Sequence, residues 1–567
     1  MITKPWLAHY DPGVPHEISV PAIALPELLT AAARDYPQAP AILFYSSIIS
    51  YAELDRLVTR FAQALCSAGL QPGDRVALVL PNVPQAVICY YGALRAGATV
   101  VLANPLFDAS SLARQLEDAQ VTAIVALSMF HPLITTVRTR IAFKQVIYTN
   151  LKEYLPASQR GLFTLLRQDH EGHRVPEDEA RRSLWLARML AQYPAAQLPQ
   201  LDPNAPAVLL YTGGTTGEAK GVVHTHRSLV ANTVQTVAWM PTLQRGRERV
   251  LCALPFSHSY GMTSCLNFSV QIAAAMILLP TFETQNVLHA IRRDRPTLFP
   301  GVPPMYAAIT DVKDARSYGL SSLHACLSGA APLPVEVQEG FERITRARLV
   351  EGYGLSEAGP VTHVNPFAGP RRTGFIGLPL PSTEARIVDV ATGEDVSVGK
   401  IGELLVRGPQ IMQGYWNRPD ETAEALTPDG WLRTGDLARM EADGFFQVIE
   451  RKKEMIVAGR YNIYPRDIEE VLYEHPKVLD AAVAGVPRAA GDADVRAFVV
   501  LRRGESATAD EILQFLRERL SAYKLPSAIE FREALPRSFI GKVLRRVLVE
   551  GWRDEAPSDE PPPAPGS

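Results

Sequence analysis

The chain has 567 residues, 47% of them hydrophobic and 21% charged, with a formal net charge of −3. This composition excludes a largely disordered chain, the even charge excludes a nucleic-acid binder working through a global basic field, and 38 glycines and 45 prolines without a G-X-Y period exclude collagen. At roughly 150 residues per domain, the length allows three to four structural units. The five cysteines (Cys66, Cys89, Cys252, Cys265, Cys326) lie far apart without a CxxC, which argues against a structural zinc site or a disulfide framework and suits a reducing compartment. The first residues, MITKPWLAHYDPG, hold no apolar run of the signal-peptide kind. The longest clean apolar run, Ile272 to Leu279, is eight residues against the about 20 of a membrane-spanning helix. A cytoplasmic protein is expected, with peripheral contact with a membrane left open.

In chain order, Leu54, Leu57, Val58, Phe61, Ala62 and Leu65 recur at helical spacing, and Gln-Pro-Gly-Asp (71–74) then turns the chain. Val76 to Leu80 reads as a buried strand, followed by a helix to Arg95, a strand from Thr99 to Leu102 and another at Thr122–Leu127. This alternation predicts a doubly wound α/β sheet. Residues 151–200 mix charges, a short amphipathic stretch and loop residues, and read as a surface insertion. The α/β pattern returns from about 204 to 370. Residues 374–450 are richer in glycine, valine and turns, and strands at Ala385–Asp389 and Gly402–Arg407 predict a small β-rich subdomain. RKKEM after Glu450 reads as an exposed linker. The last hundred residues read as an α+β unit, with helices Asp467–Tyr473 and Ala509–Leu520 and strands Ala481–Val486 and Arg496–Leu501. Five prolines in the final twelve residues predict a disordered tail. No internal repeat is found.

The sharpest stretch is Tyr211-Thr-Gly-Gly-Thr-Thr-Gly-Glu-Ala-Lys-Gly221, placed after a strand, Ala207–Leu210, and before a helix starting near His226–Ser228. Its glycines and threonines can present backbone N–H groups and hydroxyls to an anion, and Lys220 can add a positive charge. GxxxxGK[ST] does not fit, so this is not a Walker A loop. A bare glycine-rich surface loop is the plainer alternative, and the length of the string weighs against it.

The loop resembles the phosphate-binding signature of the adenylate-forming enzymes: acyl-CoA synthetases, luciferases and peptide-synthetase adenylation domains. That superfamily usually has serine at the position of Gly213, and the YTGGTTG variant looks like the bacterial long-chain fatty acyl-CoA ligases. The resemblance runs over about residues 20–550. It is carried in order by LPFSHSYG (254–261), LSGAAPL (327–333), EGYGLSE (351–357), GFIGLPLP, GELLVRGP, WLRTGD (431–436), ERKKEMIVAGRYNIYPRDIE (450–469), SAYKLP (521–526) and PRSFIGKVLRR (536–546).

The resemblance implies a fold and a division of the chain. An N-terminal adenylation domain spans 1–450, built of α/β subdomains with a β-rich part at about 374–450. A hinge follows at 451–454, a mobile α+β C-terminal lid domain at 455–551 and the tail at 552–567. It also implies roles. Thr212, Gly213, Gly214, Thr216, Gly217 and Lys220 would cradle the phosphates of ATP, and Thr215 with Glu357 would hold Mg²⁺, a hard cation that prefers oxygen ligands. Lys542 would meet the substrate carboxylate and the α-phosphate. Gly329, Ala330 and Ala331 would lie on the adenine side. Gly352, Tyr353 and Gly354 would carry the stacking tyrosine, and Ser356 keeps a hydroxyl where relatives commonly have threonine. Asp436 and Arg451 would hold the ribose, and Lys453 would mark the hinge. His258, grouped with the catalytic residues, and Met262 would stand where the acyl tunnel opens. Gly459, Arg460 and Lys524 would lie along the acyl and CoA path, with Arg460 standing where relatives have glycine.

The activity so implied is a two-step ligation. A fatty acid, expected to be long-chain, reacts with ATP to give acyl-AMP and pyrophosphate, and CoA then takes the acyl group and releases AMP. ATP, Mg²⁺ and CoA are the expected cofactors and co-substrates, with no nucleic-acid partner, and a homodimer is left open. Two alternatives stand beside it: transfer of the acyl group to a carrier protein, and a non-catalytic acyl- or nucleotide-binding relative.

Overall fold

The computed structural model describes residues 4–212, 219–458, 461–487, 493–537 and 543–549. By contact density the chain divides into two units. The larger comprises Met1–Arg386, Leu405–Thr434 and Met440–Gln447; the smaller comprises Ile387–Leu404, Gly435–Arg439 and Val448–Ser567. The sequence reading kept all of 374–450 with the large domain, whereas this division runs through that segment.

The larger unit holds two mainly parallel sheets, as the βα alternation predicted. One has eight strands in the order Gly414–Tyr415, Lys220–Thr225, Pro206–Thr212, Thr99–Leu102, Arg75–Val79, Ala123–Leu127, Gln145–Thr149 and Leu184–Trp185. Its six strands from Pro206–Thr212 onward are parallel, and the first two are added antiparallel. The other has nine strands, with a parallel centre running from Arg348–Gly354 through Ala325–Ser328, Leu298–Gly301, Arg249–Cys252 and Ala275–Leu278 to Pro40–Phe44. Parallel strands covered on both faces read as continuous apolar runs, and all five residues of Ala123–Leu127 are buried.

Local chemistry explains why the elements start where they do. The Tyr51–Ser67 helix begins at Ser50, whose hydroxyl accepts from the Glu53 N–H, and it buries Leu54, Leu57, Val58, Phe61, Ala62 and Leu65. The next helix, Pro84–Arg95, packs tightly on it at Gly92, where a Cβ would stand 2.6 Å from the Phe61 ring.

One expectation needs correction and another needs an addition. Residues 151–200 are more than a surface insertion: they supply the edge strand Leu184–Trp185 and a helix, Leu186–Gln192, that buries Leu186 and Met189. A two-residue strand is too short to show a period, so nothing in the sequence announced it. The helix expected near His226–Ser228 does start at His226, and an unforeseen strand lies between it and the Gly/Thr loop. Lys220–Thr225 is a strand paired antiparallel with Pro206–Thr212, and the His226–Ala238 helix begins only at its far end.

The β-rich segment forms a four-stranded sheet in the order Glu384–Val388, Gly402–Arg407, Leu432–Met440, Phe446–Arg451. In the smaller unit, Val478–Pro487, Ala493–Leu501 and Ala528–Phe531 form a three-stranded sheet. One face packs on the helices Pro465–Tyr473 and Ala509–Arg517 through Ile468, Leu472, Ile512 and Leu516, and the alternate residues Ala482, Ala484, Phe498 and Val500 pack with Leu535 and Leu548. The predicted tail lies outside the described residues. Among the described residues no helix is long and apolar enough to cross a membrane.

Candidate active site

Gly213, Gly214, Thr215, Thr216 and Gly217 lie outside the described residues, but the frame that presents them is defined. Thr212 pairs with Lys220 across the hairpin, and Tyr211 with Gly221. The Tyr211 hydroxyl donates to Asp118 Oδ2 at 2.6 Å. Asp118 also accepts from Arg418 through Oδ1 at 3.2 Å and from the Trp416 indole through its carbonyl at 3.1 Å. Burial, reinforced by Asp118, pushes the Tyr211 phenol well up, so it stays a donor. Lys220 Nζ sits 5.2 Å from the centre of the Tyr415 ring, and the Tyr415 hydroxyl donates to Glu357 Oε1 at 2.9 Å. The Glu357 carbonyl accepts from the Met412 N–H at 2.8 Å. Glu357 is therefore held at its backbone and its carboxylate by the 412–415 segment, beside the foot of the loop.

The adenine-side residues follow the ends of two adjacent parallel strands, with Ser328 opposite Glu351. In open α/β sheets ligands bind outside such carboxyl ends. Gly352 is tightly enclosed: a Cβ there would be 2.8 Å from Leu327 Cδ1, and one at Gly354 would be 1.9 Å from the Pro360 carbonyl. Gly329 packs on Tyr260, and Ala330 adopts a left-handed φ of 67°. The Tyr353 ring meets the edge of His363 at 5.9 Å, and His363 meets Phe446 at 4.9 Å. Burial lowers the His363 pKa to about 3, so this support is neutral.

Ser356 is fixed from two sides. Its carbonyl accepts from His224 Nε2 at 2.6 Å, and its hydroxyl is 3.2 Å from that of Ser259. Burial lowers the His224 pKa to about 4. A carbonyl can only accept, so the single proton of this neutral ring is on Nε2, and Nδ1 accepts from the Ser228 hydroxyl at 3.1 Å. The sequence reading missed both Tyr415 and His224. Each lies in a short strand with no loop or motif to mark it, and they meet Glu357 and Ser356 only through the fold.

His258 caps the short helix Ser259–Gly261, its Nδ1 accepting from the Tyr260 N–H at 3.1 Å. Burial lowers its pKa to about 4, so it offers no positive charge to a carboxylate. Its observed part is to shape the turn. Met262 is fully buried and opens a π-helical turn, Met262–Asn267. An apolar cavity of about 40 Å³ lies nearby, lined among others by Thr236, Trp239, Met240, Ser264, Phe268 and Leu327. Met262 is not part of that lining. Trp239 and Met240, at the end of the helix that follows the loop hairpin, were not picked out from the sequence, although a Trp-Met pair closing that helix was the available signal.

The smaller unit carries the other candidates. Arg451 Nε lies 2.8 Å from Asp436 Oδ1, and the Asp436 side chain is 2% exposed. Lys453 is exposed in the turn after the Phe446–Arg451 strand. Lys524 is paired with Asp467 at 2.5 Å. Glu450 accepts from the backbone N–H groups of Arg451 (2.9 Å) and Arg466 (3.1 Å), and burial raises its pKa to about 7. Arg545 binds Glu454 and both oxygens of Glu469, at 2.9 and 3.0 Å. Gly459, Arg460 and Lys542 lie outside the described residues.

Residues 29–416 match the AMP-binding enzyme family, and residues 467–542 match the AMP-binding enzyme C-terminal domain. The chain belongs to the AMP-binding enzyme family. It is 45% identical over 550 residues to a long-chain-fatty-acid–CoA ligase of Bacillus subtilis (strain 168), covering 96% of this chain and 98% of that one. A protein of the same name from Escherichia coli O157:H7 is 37% identical, covering 98% of each chain. Among solved structures, ATP-bound MatB from Rhodopseudomonas palustris aligns with a TM-score of 0.82 at 27% identity, over 94% of this chain and all of that one.

For an AMP-binding enzyme the metal question is narrow. Among the described residues no group of three or more His, Cys, Asp or Glu side chains could hold an ion. Mg²⁺ keeps several waters and takes one or two protein oxygens beside substrate phosphates, so a single held carboxylate such as Glu357 fits it.

Proposed function

We propose that this protein is an ATP- and Mg²⁺-dependent long-chain fatty acid–CoA ligase, working through acyl-AMP. The observation that carries the reading is the shared wall between a polar and an apolar site. Leu327 and Val364 line the apolar cavity, and both crowd Gly352, next to Tyr353 on the strand that leads to Glu357. An acyl tail in the cavity would thus lie behind the wall that carries the nucleotide residues, as an apolar pocket with a few polar groups at one end requires.

In the first step a carboxylate oxygen attacks the α-phosphorus, and pyrophosphate leaves with the bonding pair. Two anions must approach, so cations and donors around the phosphates do most of the work. Lys542 supplies the charge between carboxylate and α-phosphate. Lys220, Thr212 and the loop residues 213–217 hold the phosphates, Tyr353 offers its face to adenine, and Asp436 with Arg451 takes the ribose hydroxyls. Glu357, joined by Thr215, would hold Mg²⁺, which supplies charge neutralisation on the phosphates. In the second step the CoA sulfur attacks the acyl carbonyl carbon and AMP departs. Lys453 is the hinge of this reading, with Arg460 and Lys524 along the CoA path.

The cavity also bears on chain length. A single water needs about 10–15 Å³ on this measure, so 40 Å³ leaves room for only a few waters or a short piece of chain. Entry of a long tail therefore requires side chains of the lining to shift. Because such a substrate partitions into bilayers, peripheral contact with a membrane belongs to the same reading.

The test is to incubate the protein with palmitate, ATP and Mg²⁺, with and without CoA, and to measure pyrophosphate and palmitoyl-CoA separately. Repeated turnover to palmitoyl-CoA is expected. Pyrophosphate without thioester would point to another acceptor and make Arg460→Gly the next variant. Neither product from any fatty acid would overturn the reading.

A further inference from the structure

The turn Met262–Asn267 is π-helical, a rare geometry that is frequent at functional sites. Two of its polar side chains are bound within the fold. Thr263 donates to the Gly359 carbonyl at 2.6 Å, and Asn267 accepts from the Tyr91 hydroxyl at 2.9 Å. Ser264 differs. It is 5% exposed, and its hydroxyl oxygen has no hydrogen-bond partner among the described residues.

Ser264 also stands in the lining of the apolar cavity. The other hydrogen-bonding side chains of that lining are satisfied elsewhere. Thr236 donates back to its own helix, to the carbonyls of Asn232 at 3.0 Å and Thr233 at 2.8 Å. The Trp239 indole donates to the Asn365 carbonyl at 3.3 Å. The wall of this cavity is therefore apolar apart from one hydroxyl without a partner.

A buried hydroxyl left unpaired is destabilising, and alanine would serve in an apolar wall without that cost. Such a group calls for a partner that the folded chain does not supply. A serine hydroxyl both donates and accepts, and it turns about a single bond, so it can meet an oxygen held in the cavity. Its position indicates which oxygen. The Ser259 hydroxyl meets that of Ser356, next to Glu357, and Ser264 lies five residues further on, about 7 Å along a helix axis. In the ligase reading the carboxylate reacts at the Glu357 end, so an oxygen that reaches Ser264 belongs to the chain. A hydroxyl on that chain loses its water on entering the cavity, and Ser264 is the group that can replace the lost bond. We propose that Ser264 selects fatty acids carrying a hydroxyl within the acyl chain. The proposal deepens the ligase reading, names a substrate class for it and rests on it.

The experiment uses the full chain and the variant Ser264→Ala. The substrates are stearate and hydroxystearates bearing the hydroxyl near the carboxylate, at mid-chain and at the methyl end. Acyl-CoA formation gives kcat/KM for each acid, and each hydroxystearate is expressed relative to stearate, so a general loss of activity cancels. In the wild type one member of the series should equal or exceed stearate. In Ser264→Ala the ratio for that member should fall about tenfold, because its hydroxyl is left unpaired in the cavity. The thermal midpoint of the variant without substrate should not fall, because no bond within the protein is lost. A wild type that prefers stearate to every hydroxystearate, or ratios that are the same in both proteins, would overturn the proposal. So would a lower thermal midpoint in the variant, which would assign the hydroxyl to a bond within the protein. If no acid is ligated, quenching of tryptophan fluorescence by the same acids reads the cavity through Trp239. A preference for one hydroxystearate that Ser264→Ala loses would then keep the selectivity while the ligase reading fails. Equal binding by both proteins would overturn both.

Discussion

The two units hold their candidate residues by different physics. In the larger unit the buried histidine supports are neutral, although one ion pair, Arg418 on Asp118, also steadies the base of the loop hairpin. His224, His258 and His363 are buried with pKa values of about 4, 4 and 3, and they act through single hydrogen bonds or ring edges behind Ser356, the Tyr260 turn and Tyr353. In the smaller unit the supports are ionic: Arg451 on Asp436, Lys452 on Glu403, Lys524 on Asp467, and Arg545 among Glu450, Glu454 and Glu469. A thick parallel sheet has enough apolar mass to hold neutral groups by packing alone. A unit built on a three-stranded sheet has less, and its turns are fixed by charge.

The sharpest way to break this contrast is to remove Arg545. Arg545→Ala leaves Glu454 and Glu469 partly buried without their cation, and unfolding of the smaller unit followed by urea should show a loss of about 3–5 kcal/mol. Arg545→Lys should recover only part of it, because lysine lacks the fork that meets both oxygens of Glu469. A loss below about 1 kcal/mol would mean that packing, as in the larger unit, holds this region too.

Next comes pH, where the two units should slope in opposite directions. The folded pKa of His224 lies below its unfolded value of 6.5, so the native state binds fewer protons between the two. Its contribution is present above pH 6.5 and is lost as pH falls from 6.5 toward 4, by up to about 3 kcal/mol. Glu450 is raised from 4.5 to about 7, so its stabilising share is complete below pH 4.5 and is lost as pH rises from 4.5 through 7. Denaturation midpoints across that range should show a shallower acid loss in His224→Asn than in the wild type. In Glu450→Gln the loss toward neutral pH should disappear. Parallel slopes for the two variants would defeat the comparison.

Smaller in free energy is the chemical test of Glu357. Glu357→Gln keeps an acceptor for Tyr415 but loses the charge proposed to meet Mg²⁺. Pyrophosphate release should fall about a hundredfold, equivalent to about 2.7 kcal/mol, with the thermal midpoint nearly unchanged. The smallest expected effect is that of Tyr211→Phe, which removes one hydrogen bond from the base of the hairpin while Arg418 still holds Asp118. A loss of about 1 kcal/mol in stability is expected, with a few-fold rise in the KM for ATP.

Much of the fold was legible before any coordinates. The helix at 51–67 is read correctly from six apolar positions, because a buried face imposes its period on the chain. The strands at Arg75–Val79, Thr99–Leu102 and Ala123–Leu127 follow from short apolar runs between turns. The strand Leu184–Trp185 and the return strand Lys220–Thr225 were not legible. The first is too short to carry a pattern, and the second, KGVVHT, is polar at both ends. The candidate residues divide the same way. Glu357, Tyr353 and Asp436 sit in recognisable stretches, while Tyr415, His224 and Trp239 act on their partners across 58, 132 and 126 residues of chain.

Sequence alone determined the family, the order of its motifs and the chemical types of the candidate residues, because phosphates and ribose demand particular donors and acceptors whatever the scaffold. Tertiary structure decided what holds those residues still. That His224 is neutral and protonated on Nε2, that Tyr415 ties Glu357 beside Lys220 and that Arg545 sits among three glutamates are all results of burial and of long-range proximity. Neither quantity is a property of any residue or of its neighbours in the chain. Both arise only when distant segments displace water from one another.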